Sequence, residues 1–236
     1  MKYLNVPELS ELGFEIAELE LGEVAFEAKL EVYSCKMAGG DKKLCRSLDT
    51  KFSEEFGSTS PASPMVATGV AGHSVGVTPF GPLSEPSTRR VLINLICTLN
   101  ASYPDYDFSN ISVDQLTRES NVNMVVSQID SSLEGVYHAL GKSFREKLWR
   151  VIESTIGGLT SCEVYSFISD MESEDPYSEL GRIWSFNFFF YNRRAKKVLF
   201  FACTAQRRDV MDARLGEEDE DALMDFNDDE PQFALD

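Results

Sequence analysis

His73 and His138 are the only imidazoles in a chain of 236 residues, and acid–base or nucleophilic catalysis near neutral pH draws first on such groups. Neither has the company that chemistry needs. His73 precedes Ser74, Val75 and Gly76, which do not make the GxSxG turn that lifts a serine nucleophile out of a sheet. His138 falls inside an apolar helical pattern. Gly69, Val70, Ala71 and Gly72 follow no strand and lead to no P-loop lysine, so they form no phosphate cradle. The five cysteines, Cys35, Cys45, Cys97, Cys162 and Cys203, contain no CxxC pair, whereas zinc asks for about four ligands at short paired spacings. They read as small buried hydrophobes in a reducing compartment. No cofactor, no metal and no enzyme activity is expected.

The remaining patterns suit binding and regulation. Asp105 and Asp107 flank Tyr106 just after a helix, in a turn whose carboxylates can accept from nearby backbone N–H groups or serve for docking. Arg193, Arg194, Lys196 and Lys197 stand between two aromatic, β-rich runs at 183–191 and 198–204, which predicts a β-hairpin with a basic tip. Such a tip is a solvated turn, a nuclear-import sequence or an electrostatic dock for an acidic partner. Ser60, Ser63 and Thr78 each precede a proline. They lie in a stretch of Ser, Thr, Pro, Gly and Ala that cannot bury enough apolar surface to offset its conformational entropy.

The elements that must position these residues follow from periodicity. Along the hairpin, Trp184, Phe186, Phe188 and Phe190 share one face while Ile183, Phe189 and Tyr191 share the other, so both faces are apolar and the hairpin belongs in the middle of a covered sheet. Residues 23–33 alternate, with Val24, Phe26, Ala28, Leu30 and Val32 on a core face and Glu23, Glu27, Lys29, Glu31 and Tyr33 opposite. Residues 162–168 make a further strand. Leu9, Leu12 and Ile16 predict a helix over 8–19, weakened by Gly13. Helices are also expected from Asp41, through Leu44, Leu48 and Phe52, and from Ser87 to before Pro104. Two S-x-x-E/Q boxes, Ser112 with Gln115 and Ser143 with Glu146, predict further helix starts, the first leading into a helix that ends at Gly141. The fold class is α+β: a mainly antiparallel sheet of four to five strands covered by helices. The domain is expected in two parts, 1–56 and 87–208, separated by a flexible insertion at 57–86 and followed by a disordered acidic tail at 209–236.

Charge is distributed unevenly. The net charge is −17, and residues 209–236 hold twelve acids against one base, leaving −6 for the body. That gives no global attraction to nucleic acid, and no sequence-specific DNA binding is expected. The acidic tail could screen the basic tip. With 43% apolar residues but no apolar run near the ~18 needed to span a bilayer, and an acidic, polar start unlike a secretory signal, the chain reads as soluble and intracellular, with no membrane contact.

Three stretches carry a family resemblance. WSFNFFFYNRRAKKVLFFAC at 184–203 resembles the last signature block of the Maf-type repressors of RNA polymerase III, a eukaryotic family. VYSCKMAG at 32–39 resembles its first block and PDYDFS at 104–109 the start of its second. The resemblance covers essentially the whole chain, and none of the blocks is a catalytic motif. It implies a repressor that docks on RNA polymerase III near the clamp and initiation-specific subunits and prevents recruitment by the TBP-containing initiation factor. It further implies nuclear and cytoplasmic distribution, set by nutrient-responsive kinases and opposing phosphatases acting in the variable segment. That segment contains no basic residue, so kinases requiring an upstream arginine find no site within it. Basic clusters serve nuclear import in the family, which bears on Arg193, Arg194, Lys196 and Lys197. Lys36, Asp105, Tyr106 and Asp107 within the blocks, and Asp41 just after the first, are the docking candidates the resemblance implies. An RNA-binding module is the second reading, since aromatic strands beside basic residues resemble a base-stacking platform. Against it, residues 198–203 lack the glycine–aromatic–glycine signature of such platforms.

Overall fold

The computed structural model describes residues 1–19, 21–36, 39, 41–57, 77–170, 175–178 and 181–210. Its centre is the expected hairpin. β7 (Arg182–Asn192) and β8 (Lys197–Arg207) pair antiparallel. β8 also pairs along its whole length with β2 (Val24–Ser34). β1 (Lys2–Tyr3) extends the sheet beyond β2, and β6 (Glu163–Phe167) followed by β5 (Leu116–Arg118) extends it beyond β7, giving the order β1-β2-β8-β7-β6-β5. The sheet therefore has six strands. The two outermost are too short for a two-residue period to announce them.

Helices cover both faces. On one, α1 (Pro7–Ala17), α4 (Val122–Ser132), α5 (Glu134–Leu140) and α6 (Lys142–Ile156) pack on Phe26, Leu30, Phe186, Phe188, Phe190 and Phe201. On the other, α2 (Asp41–Gly57) and α3 (Pro86–Ser102) pack on Tyr165, Phe189, Tyr191 and Phe200. The alternation in 183–191 thus feeds two separate cores through one strand. Ile183 departs from it: a bulge between Arg182 and Trp184 leaves that side chain 53% exposed.

Several local expectations change in the structure. The box at Ser112 forms, with the Ser112 N–H donating to Gln115 Oε1 at 2.8 Å, but it closes a single 3-10 turn that leads into β5. The following helix starts instead at Asn121, whose carboxamide accepts from the Asn123 N–H, and breaks at Leu133 into α4 and α5. Ser143 caps nothing; α6 starts from Gly141 at φ 90° and stops at Gly157 at φ 82°. The side of β2 opposite its apolar face is covered as well. Tyr33 is buried there, its hydroxyl donating to Glu31 Oε2 at 2.7 Å, and Ser102 of α3 donates to the same carboxylate. The end of the Ser/Pro/Gly-rich segment is built into the domain, where β3 (Val77–Thr78) and β4 (Gly81–Pro82) make a small hairpin, with Phe80 and Leu83 buried in the α2–α3 core. Composition conceals this because two apolar side chains anchor an otherwise polar stretch.

Candidate interaction surface

The basic tip is held rather than free. Asn192 is buried at the end of β7, and its carboxamide accepts from the Ala195 N–H at 3.0 Å and donates to the Ile156 carbonyl at 2.9 Å. Lys197 Nζ donates to the Thr155 carbonyl at 3.0 Å. The turn therefore supplies donors to carbonyls that the last turn of α6 leaves without helical partners. Lys196 adopts φ 53° to close it. Arg193 Nε donates to Glu163 Oε2 at 2.8 Å, where Tyr165 also donates at 2.7 Å. Burial pushes against ionisation of Glu163, but the Tyr165 hydroxyl and the Arg193 and Arg118 guanidiniums hold its pKa below the usual range. Two of the four basic side chains are thus committed to the fold. The Arg194 and Lys196 side chains are exposed, with no partner among the described residues.

The first block meets the last one here. The Cys35 N–H donates to the Lys196 carbonyl at 2.9 Å, directly after Ser34 pairs with Lys197. This sets exposed Lys36 beside the tip, and the pairing of Lys2 with Ser34 brings a further exposed cation to the same end of the sheet. Lys2, Lys36, Arg194 and Lys196 form the basic end. Sequence reading placed three of them and missed Lys2, which no linear pattern connects to a hairpin almost two hundred residues away. Cys35 lies half-buried behind this end, and desolvation pushes its thiol up to about 11.

The other block residues sit elsewhere. Asp41 opens α2 and accepts from the Met1 amino group. Asp107 Oδ1 accepts from the Ser109 N–H at 2.9 Å, and the Ser109 side chain and backbone hold its carboxyl below the usual range. Asp105 is exposed, and Tyr106 is half-buried against Tyr103 and Phe108. Tyr103 anchors this loop: its ring meets Phe200 edge-on at 6.1 Å, and Lys29 Nζ lies 4.7 Å from its centroid. The loop thus packs over the middle of the sheet, apart from the basic end.

Thr78 occupies the β3–β4 turn, donating to the Gly81 carbonyl at 2.7 Å and accepting from the Phe80 N–H at 3.3 Å. Ser60, Ser63, His73 and the acidic residues beyond 210 lie outside the described residues. Among the described residues, no group of three His, Cys, Asp or Glu side chains could hold a metal, and no helix is long and apolar enough to cross a membrane. The aromatic platform of the second reading is also missing: Phe186, Phe188, Phe189, Phe190, Phe200 and Phe201 are all buried, so none offers a ring face to a base.

Comparison with known proteins now bears on this arrangement. The Maf1 regulator family matches residues 26–202. A Dictyostelium discoideum protein named repressor of RNA polymerase III transcription is 34% identical, across 86% of this chain and 84% of its own length. A Schizosaccharomyces pombe protein, named repressor of RNA polymerase III transcription maf1, is 30% identical across 97% and 93%. The crystal structure of citrus MAF1 superposes with a TM-score of 0.63 at 32% identity, covering 84% of this chain and 98% of that one. With the sequence match running from β2 through most of β8, and the fold shared with a solved relative, this chain belongs to the Maf1 regulator family.

Proposed function

We propose that this chain is a repressor of RNA polymerase III transcription, a regulator rather than an enzyme, and that it acts by occupying the polymerase so that the TBP-containing initiation factor cannot recruit it. The observation that carries the reading is the convergence of the first and last family blocks on one rigid end of the sheet, where Lys36, Arg194 and Lys196 are exposed beside one another with no acidic partner among the described residues. A fixed cluster of free cations on a body with net negative charge suits docking to an acidic surface. Two relatives bearing the repressor name along nearly their full length support the same conclusion.

Control lies in the segment holding Ser60 and Ser63. Phosphate there adds about −1.5 to −2 charges per site, which weakens docking or shifts the protein from nucleus to cytoplasm. Thr78 is a poorer substrate in the folded chain, because its hydroxyl is engaged in the β3–β4 turn. Import through the basic tip requires an extended segment, and the bonds of Asn192, Arg193 and Lys197 keep the tip closed; docking is therefore its better use.

The test is capture of purified RNA polymerase III by this protein, before and after treatment with a proline-directed kinase, followed by promoter-dependent transcription. Capture with loss of initiation, both reduced by phosphate, is expected. Failure of the folded, unphosphorylated chain to bind would remove the reading. Lys36→Glu combined with Arg194→Glu and Lys196→Glu should weaken capture at least about tenfold and flatten its salt dependence.

A further inference from the structure

Between the N-terminal halves of α2 and α3 lies a pocket of about 270 Å³. Lys42, Arg46 and Arg90 line its rim, and Cys45 and Ile93 its floor. All three cations are exposed, and none has an acidic partner among the described residues. The one carboxylate in the lining, Asp49, is engaged by Arg89 Nε at 2.7 Å. The pocket therefore presents three uncompensated positive charges.

This arrangement works against the fold by itself. Lys42 and Arg46 are four apart on one helix face, where like charges repel. Lys42 and neighbouring Lys43 fall in the first turn of α2, whose one acid, Asp41, is engaged by the Met1 amino group, and Arg90 follows the first turn of α3, where Glu85 is the N-cap. Cations at a helix N-terminus oppose the positive end of the macrodipole. A compact anion among the three side chains offsets both costs. The half-apolar lining, with Pro86 and Ile93 beside the cations, also suits an anion carried on carbon.

We propose that the α2–α3 pocket is a binding site for a phosphate group, held by Lys42, Arg46 and Arg90. The inference goes beyond repression, since it concerns neither the basic tip nor the polymerase. Its source is either free phosphate or a phosphorylated side chain in an extended peptide, and the two are separable by experiment.

Fluorescence polarisation of the full chain with a labelled phosphoserine-proline peptide and its unphosphorylated twin tests this, with inorganic phosphate as competitor. The phosphopeptide should bind at least about tenfold tighter than its twin, and that difference should vanish in a K42Q/R46Q/R90Q variant but survive Lys142→Gln, a control on α6. The single variants, each with a melting temperature unchanged or raised, should give intermediate losses. Competition by inorganic phosphate at the peptide's own concentration range would identify free phosphate as the ligand and support the site. Equal binding of the two peptides without phosphate binding, or persistence of the difference in the folded triple variant, would overturn it. Since the assay contains no polymerase, its failure leaves the repressor reading standing.

Discussion

Two polar side chains hold together parts that apolar packing alone does not register. Asp130 accepts from Trp149 Nε1 at 2.7 Å, from Arg145 at 2.6 Å and from the Tyr137 hydroxyl at 2.9 Å, tying α4 to α5 and α6. Burial alone would raise its pKa, but these three donors hold it below the usual aspartate range. A carboxyl depressed in the folded state contributes stability above its unfolded pKa and loses it as pH falls through the folded one. The melting temperature should therefore fall on acidification below about pH 4, and Asp130→Asn should start lower at neutral pH and show a shallower acid loss in a pH series of thermal melts. Asn192 is the second such group. Replacing it with Ala strands the Ile156 carbonyl and the Ala195 N–H, and should cost about 1–3 kcal/mol in urea unfolding. Neither role is legible in sequence, because a lone Asp or Asn looks the same on a solvated surface as at the junction of three elements. Asn187 makes the point again: its carboxamide bonds both the N–H and the carbonyl of Phe167, standing in for a strand where β6 leaves β7.

At the scale of elements, the long periodic stretches were readable and the short ones were not. The alternation over 183–191 and 23–33 gave β7 and β2 within a residue or two, because each strand feeds a core through every second side chain. Motifs of two or three residues depend on their neighbours: Ser112 caps a 3-10 turn, and β1 and β5 exist only by pairing with strands already formed. Gly13 shows how far a propensity argument reaches. It weakens α1, and a Cβ there would lie 3.6 Å from the Ala28 carbonyl oxygen and 3.7 Å from Leu30 Cδ1, ordinary contact distances. α1 thus lies close enough to β2 to leave room for a methyl group and little more. Gly13→Ala should be neutral or stabilising by up to about 1 kcal/mol, whereas Gly13→Leu should push the helix off the strand and cost about 1–3 kcal/mol, both read by denaturant titration. Gly181 allows no such change: its φ is +81° and an added Cβ would meet Val210 Cγ2 at 2.8 Å.

Across the whole molecule, one hairpin serves two cores, so Phe189→Ala and Phe190→Ala strike opposite layers of the same sheet. Each should cost about 3–5 kcal/mol; their effects should add if the layers are independent, which a double-mutant cycle in guanidinium measures. Of the interaction surface, the sequence showed the charges at 193–197 but not which of them are spent on the fold, because Glu163 and Thr155 are distant in sequence. The acidic segment past 210 starts at the end of β8 opposite the basic tip, a strand length of about 33 Å away. If it screens the tip, removing residues after 209 should steepen the salt dependence of polymerase binding; an unchanged slope would exclude that screening. The placement of β8 also bears on synthesis. β2 is made early, but its long partner is the last strand among the described residues to leave the ribosome, so at ordinary elongation rates the N-terminal strand waits roughly 10–30 s for it. During that interval the growing chain holds an open strand and unfilled aromatic layers, and its survival depends on whatever shelters nascent polypeptides from one another.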